Sequence, residues 1–127
     1  MEEMKTLGYD WEYGHEELIL NVDSYMAGNR LYIVLFRMEE ESLENFSDLT
    51  VNLPFEPAKV NEAYISDFLS EEHLEFIKKH ELGKILPEVG HSGFVKYAKV
   101  AFNLERLAEF DREGIEDYRK LHGISNG

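Results

Sequence analysis

Cysteine is absent from this sequence of 127 residues, and proline occurs only three times. Without cysteine, disulfides and thiolate chemistry are both excluded. No run of about 18 apolar residues could cross a bilayer as a helix. The acidic N-terminal stretch, residues 1–17, lacks the basic and apolar regions of a signal peptide. These absences predict a cytoplasmic protein that does not bind membranes.

Basic residues are also scarce, since 13 Lys and Arg stand against 26 Asp and Glu and give a net charge of −13. A field of that sign repels the phosphates of nucleic acids and anionic membranes, so direct binding to nucleic acid is not expected. The same field attracts basic proteins, including proteins whose usual ligand is DNA. Alternatively, the acidity serves only to keep the protein soluble.

The residues that are present suffice for a folded core. Hydrophobic residues make up 43% of the chain and aromatic residues 13%. A chain of this length is typical of one domain, which buries roughly two-thirds of its unfolded surface. We therefore expect a single domain over residues 1–127.

Period-two alternation predicts β-strands in the first half of the chain. Leu18, Leu20 and Val22 give one apolar face in the alternation over residues 18–23 and indicate a half-buried strand. Gly28 and Asn29 tolerate positive φ and predict a hairpin turn into the apolar strand 31–36. Residues 37–48 are polar, and we expect a connection there. Further strands are predicted at 9–13, 49–53, 61–68 and 94–102.

Helix signals are concentrated in the second half. Ser70 is the expected N-cap of a helix that Gly83 ends at its C′ position. Asn103 is expected to cap a C-terminal helical segment that Gly114 breaks. The strand at 94–102 should carry a bulge near Ala98, where its alternation slips. The predicted class is α+β: an antiparallel, meander-like sheet of four to six strands, with one helix in the second half and one or two at the C-terminus.

The stretch Gly-His-Ser-Gly at residues 90–93 resembles a hydrolase nucleophile turn. That turn requires glycine two residues on either side of the serine and a helix after it. Gly90 satisfies the pattern around Ser92, but Phe94 occupies the other glycine position and a strand follows. We therefore expect no catalytic residue and no enzyme activity. Gly90 and Gly93 are expected to form a tight turn in which Ser92 bonds to local backbone.

Histidine spacing does not indicate a metal site. His73 and His80 lie seven residues apart on the predicted helix, which is too far for one ion without further ligands, and no His-Glu-x-x-His motif is present. We expect solvated or locally bonded histidines, and no metal or cofactor.

Acidic residues form the strongest candidate for a binding surface. Fixed on helices and on a loop, they could imitate the phosphates of a duplex and occupy the basic groove of a protein, or they could simply be solvated. Aromatic residues of the first strands offer an alternative contact face through Tyr9, Trp11, Tyr13, Tyr32 and Phe36. The acidic candidates are Glu39, Glu40, Glu41, Glu44, Glu105, Glu109, Glu113, Glu116 and Asp117.

Several phrases resemble a family of small, acidic, uncharacterised proteins of Gram-positive bacteria, known only as a domain of unknown function and recurring in conjugative and other mobile elements. They include "WEYGHEELILNVDSY", "NRLYIVLF", "NEAYISD" and "FNLERL", and they cover about residues 9–107, with 108–127 as a C-terminal extension. Relatives typically carry arginine in place of His91 and proline in place of Ala98. The strongest matching positions are Gly83, Gly90, Ser92, Gly93, Phe94 and Tyr97.

The resemblance implies that these six positions belong to a shared turn and strand, which is either structural or a contact surface. It also implies a role in mobile elements, such as antagonising host restriction or CRISPR defence. The leading hypothesis is thus a non-enzymatic acidic module that binds a basic, nucleic-acid-binding host protein as a DNA mimic. The alternatives are an accessory interaction protein that uses the aromatic face, and a small hydrolase centred on Ser92 and His91.

Overall fold

The computed structural model describes residues 5–124 and confirms the α+β class. The strands form two four-stranded antiparallel sheets instead of the single sheet that the sequence predicts. The elements are β1 (Leu7–Trp11), β2 (Gly14–Ser24), β3 (Leu31–Glu39), β4 (Ser42–Asp48), β5 (Thr50–Val51), β6 (Glu62–Ile65), α1 (Ser70–Lys79), β7 (Gly83–Ser92), β8 (Val95–Phe102), α2 (Leu104–Ala108) and α3 (Arg112–His122).

The first sheet is a meander in the order β1–β2–β3–β4. Its inner face carries the alternating apolar residues of β2 and β3, all of which are buried. The predicted turn between these strands is confirmed, because Gly28 has a φ of 84° and Asn29 a φ of 53°. Tyr25 N–H donates to the carbonyl of Arg30 at 2.9 Å and closes the hairpin.

Residues 37–48 are not the polar connection that the sequence predicts. They extend β3 and form all of β4, joined by a two-residue turn at Glu40–Glu41. Arg37 stands opposite Glu44 in this pairing, so complementary charges hold the two strands together. The first four residues of β4 are exposed and carry no apolar alternation, and the sequence pattern therefore missed this strand.

The second sheet has the order β5–β6–β8–β7 and is joined to the first where the chain leaves β4. Leu49 N–H donates to the carbonyl of Ile33 at 2.9 Å, and Ile33 N–H donates to Thr50 Oγ1 at 3.1 Å. These bonds continue the pairing of β3 across the junction. As a result β5 has only two residues, fewer than the predicted strand at 49–53.

Helix α1 begins and ends differently from the prediction. Leu69 is the N-cap in place of Ser70, with left-handed backbone and no side-chain cap bond. At the other end Glu81 has a φ of 55°, so Glu81 and not Gly83 supplies the left-handed residue. Leu82 N–H donates to the carbonyl of Ile77, and Glu81 N–H to that of Lys78, which is a Schellman motif.

Strand β7 was not predicted, and it explains why Gly83 is glycine. A Cβ on Gly83 would lie 2.6 Å from the carbonyl oxygen of Ala101 on the neighbouring strand. The irregularity of this pair lies in β7, because Ile85 pairs with Val100 and Val89 with Ala98. The expected bulge in β8 at Ala98 is therefore wrong. The extra residues include Pro87, which has no N–H to donate to the ladder.

The C-terminal segment forms two short helices. The Asn103 cap is confirmed, since its Oδ1 accepts from Arg106 N–H at 3.1 Å. The break lies at Glu109–Asp111, and not at Gly114 as predicted. Asp111 caps α3 by accepting from Gly114 N–H at 3.0 Å, and its other oxygen accepts from Val22 N–H at 2.8 Å.

Both sheets and all three helices bury side chains in one hydrophobic core. Helix α1 contributes Phe76 and Ile77, α2 contributes Leu107, and α3 contributes Ile115 and Tyr118. None of the helices within residues 5–124 combines the length and the apolar character that crossing a bilayer requires.

We expect Glu81→Gly to raise the free energy of unfolding by about 0.5–1 kcal/mol in urea denaturation. Glycine removes the left-handed backbone strain of a residue with a side chain, which stabilises the folded state by about 1–2 kcal/mol. Glycine also raises the conformational entropy of the unfolded chain, which offsets about 0.4–1 kcal/mol of that gain. Gly83→Ala is the control and should destabilise the protein. A Glu81→Gly protein less stable than wild type would contradict the assignment of Glu81 as the residue that ends α1.

Candidate functional site

The acidic residues of the β3–β4 hairpin are partly neutralised. Arg37 Nε lies 3.3 Å from a carboxylate oxygen of Glu44 and 3.4 Å from one of Glu39. The hydrogen bond to Glu44 raises the pKa of Arg37, and the nearby carboxylates of Glu16 and Glu39 add to the effect. Glu40 and Glu41 occupy the exposed turn. The hairpin therefore presents fewer free charges than its sequence suggests.

The remaining acidic candidates lie on the C-terminal helices. Glu109 forms an ion pair with Arg106 at 3.2 Å. Within residues 5–124, no ion pair engages Glu113, Glu116 or Asp117 on α3. Among the described residues, these three carboxylates of α3 thus lack the ion pairs that engage Glu39, Glu44 and Glu109.

A groove separates the outer face of the first sheet from the α2–α3 junction. Ile19 on β2 stands directly opposite Phe36 on β3, and Leu43 on β4 points to the same face. Ile19 and Phe36 are half-buried, Leu43 is 44% exposed, and none of the three belongs to the core. With Phe110 on the opposite wall, they line a space of about 860 Å³.

Charged side chains surround this apolar floor. Carboxylates come from Glu109, Asp111, Glu113 and Glu116, and cations from Lys5 and Arg112. Four negative and two positive charges leave the groove with a net charge of −2. The groove therefore brings one acidic cluster of the sequence together with Phe36 of the proposed aromatic face, a combination that the sequence does not predict.

The wall formed by the α2–α3 junction is held rigidly. Phe110 packs against the core, and the guanidinium carbon of Arg106 lies 4.8 Å from the centre of its ring. A Cβ on Gly114 would lie 2.6 Å from the carbonyl oxygen of Val22, so α3 approaches β2 as closely as glycine permits. The groove is consequently preformed.

The other predicted aromatic residues do not form one continuous face. Tyr9 is buried in the core, while Trp11 packs edge-on against Phe46 with ring centres 5.0 Å apart. Tyr32 stacks on Tyr25 at 4.4 Å. Burial raises the pKa of Tyr32, with a smaller effect from its hydrogen bond to a neighbouring carboxylate. Tyr9, Trp11 and Tyr32 thus pack against other aromatic residues of the chain, which leaves Phe36 as the aromatic residue of β3 in the groove.

The Gly-His-Ser-Gly stretch lies at the outer end of the β7–β8 hairpin. Gly93 has a φ of 61° and forms the turn with Phe94, which is fully exposed. Gly90 lies in strand β7 and not in the turn. A Cβ on Gly90 would lie 2.6 Å from the Tyr64 ring. Gly90 pairs with the half-buried Tyr97.

Ser92 is exposed and pairs with Val95 across this hairpin. Its neighbour His91 is also exposed and pairs with Lys96. In the part of the chain that the structure describes, no side-chain hydrogen bond joins Ser92 to a histidine, a carboxylate or the local backbone. The expected local bond of Ser92 is therefore not formed.

His73 was expected to be solvated or locally bonded but is fully buried. Its Nδ1 lies 2.7 Å from Tyr9 Oη and its Nε2 lies 3.2 Å from Ser47 Oγ, so a neutral ring satisfies both nitrogens. Burial lowers the pKa of His73 to about 4. Burial also raises the pKa of Tyr9 well above its usual range. The spacing of His73 from Phe76 and Ile77 on the apolar side of α1 is the signal that could have predicted this position.

His15, His80 and His122 make hydrogen bonds at or near the surface. His15 Nδ1 lies 2.6 Å from Asp10, and its Nε2 lies 2.5 Å from Glu17. The hydrogen bond to Asp10 and then that to Glu17 raise the pKa of His15, and the same bonds lower the pKa of both acids. His80 Nε2 bonds to the carbonyl of Gly8 at 2.7 Å. Over residues 5–124, no group of three or more side chains is arranged to hold a metal ion.

The fold and groove together define an α+β domain with an acid-rimmed apolar groove on one sheet. The chain belongs to the family described as Domain of unknown function (DUF4313), whose model matches residues 19–121. The expected membership of a family of unknown function is thereby confirmed. The matched region runs from β2 through α3 and includes every groove residue except Lys5. No curated protein and no solved structure matches the chain.

We expect acid to destabilise the protein through His73. The unfolded state takes up this proton near the ordinary pKa of 6.5 and the folded state only near 4. The contribution of neutral His73 to the free energy of unfolding is therefore complete above pH 6.5. It is lost as the pH falls toward 4, by about 3 kcal/mol in total. Urea denaturation at several pH values measures this loss. His73→Gln is the control, because the other titrating groups are unchanged in it, and equal pH dependence in both proteins would contradict the prediction.

Proposed function

We propose that this protein is a non-enzymatic binding module that recruits a basic protein partner through the acidic face of α3. The observation that carries the proposal is the position of Glu113 and Glu116. Both lie on the rim of the groove, and neither is offset by an ion pair among the described residues. Unpaired carboxylates beside an exposed apolar surface favour a partner that supplies both cations and apolar contact.

The charge of the whole chain supports the same proposal. A net charge of −13 creates a field that accelerates encounter with a positive partner. Such steering acts over about 10 Å at 0.1 M salt and only about 3 Å at 1 M. Binding through this surface should therefore be strongly dependent on ionic strength.

We further propose that the basic partner is a host protein that normally binds DNA, and that this module acts in the setting of a mobile genetic element. The sign of the charge supports a DNA-binding partner, and the resemblance noted from the sequence supports the mobile-element setting. Arg37 and Arg106 offset Glu39, Glu44 and Glu109. That pairing favours contact centred on α3 over a row of charges spaced like a whole duplex, and added duplex DNA should compete for the partner.

A second candidate function is an accessory interaction protein in which acidity serves only solubility. The specific observation in its favour is the tip of the β7–β8 hairpin. Phe94 is fully exposed there, and its neighbour Val95 is 39% exposed. Exposed apolar side chains clustered at a hairpin tip are suited to insertion into a partner. Binding by this surface would survive high salt.

Neutralising the α3 rim should weaken capture of the partner. In a pull-down from host lysate, we expect Glu113→Gln/Glu116→Gln to reduce affinity about fivefold at about 0.1 M salt, because each rim contact contributes about 0.5 kcal/mol. The wild type should itself lose the partner at about 1 M salt. Binding is measured by titrating the immobilised protein against the captured partner.

The matched control is Glu71→Gln/Glu88→Gln, which changes the net charge equally at exposed acids on α1 and β7. It should retain the partner. The proposed function is wrong if the wild type holds the partner as well at about 1 M as at about 0.1 M salt and the α3 variant holds it as well as the wild type does. Loss of that salt-resistant partner from Phe94→Ala would then favour the second candidate.

A further inference from the structure

We infer that the groove binds an amphipathic helix of the partner protein, with its apolar side on Ile19, Phe36 and Leu43 and its lysines or arginines facing α3. This inference rests on the proposed function and specifies the chemistry of the partner. It requires more than charge, since it assigns the apolar floor a direct role in binding.

The floor is formed by side chains that stand on paired strands. Strands β2 and β3 are interior strands of the first sheet, and Ile19 and Phe36 are paired across them. An extended peptide cannot pair between these two strands, because they already pair with each other, and the other edge of β2 is covered by β1 as far as Leu18 and by Asp111 and α3 at Val22. A helix satisfies its own backbone bonds and presents a strip of side chains, which is the form of ligand that suits such a floor.

The distribution of charge selects among possible occupants. The apolar floor lies beside Glu113 and Glu116, which are one helical turn apart on α3. A helix with apolar residues on one side and cations on its flank satisfies both features. A second copy of this chain also has a net charge of −13 and would be repelled by the acidic groove. Nucleic acid and an anionic lipid surface would be repelled for the same reason.

The groove is also formed before binding. Phe110 is fixed between the core and Arg106, and the capping bonds of Asp111 hold α3 beside β2. A wall that is already in place reduces the entropy lost on association, so the contacts made in the groove contribute more fully to affinity. The groove has a volume of about 860 Å³.

A synthetic amphipathic peptide of leucine and lysine, labelled for fluorescence anisotropy, is the probe. We expect it to bind the wild type and to bind Phe36→Ala and Leu43→Ala about tenfold more weakly, as fits the loss of a buried apolar side chain. Leu43 is 44% exposed, so Leu43→Ala tests the floor even if Phe36→Ala affects folding. Phe94→Ala is the matched control at a distant exposed site and should bind like the wild type.

Two control peptides separate this inference from the proposed function. Replacing every leucine by glutamine keeps the positive charge and removes the apolar side. Replacing every lysine by glutamate keeps the apolar side and inverts the charge. We expect both peptides to bind at least tenfold more weakly. If the glutamine peptide binds as well as the original, or Leu43→Ala changes nothing, the inference is wrong while charge-steered binding through α3 stands. The proposed function fails separately, when the α3 variant keeps its partner at both salt concentrations.

Discussion

The carboxylate of Asp111 connects the C-terminal helices to the first sheet, and the groove depends on that connection. One oxygen caps α3 and the other satisfies Val22 N–H on β2. Because both acceptors belong to one side chain, the first turn of α3 and the strand are held in one fixed arrangement. Gly114 permits the close approach, since any Cβ there would collide with the carbonyl oxygen of Val22. Without this joint, the sheet face would have no acidic wall beside it.

The two faces of the first sheet have different roles. The inner face is covered by the second sheet and the helices, and His73 ties α1 to it through Tyr9 and Ser47. That buried polar contact is satisfied only while the ring is neutral. Among residues 5–124, the outer face is bordered by α2–α3 at one side, and Ile19 and Phe36 are only half-buried there. The fold is thus stabilised from one face of the sheet and can bind through the other.

Local signals in the sequence predicted local structure well. The alternation of β2, the turn at Gly28–Asn29 and the Asn103 cap depend on neighbouring residues and are confirmed. The errors concern long-range contacts. Strand β4 pairs with the extended end of β3, and the glycine at position 83 is required by the backbone of Ala101 and not by a helix end. The groove could not be predicted either, because it assembles residues from β2, β3, β4 and α3 that no sequence period connects.

The most direct test of a groove-binding protein is to map where a ligand contacts it. Amide proton–nitrogen NMR spectra of the wild type, recorded while the leucine–lysine peptide is added, report each backbone position separately. The account predicts that the largest shift changes fall on Ile19, Phe36, Leu43, Phe110 and the first turns of α3. Changes confined to α1 or to the β7–β8 hairpin, or spread evenly over the acidic residues, would contradict it.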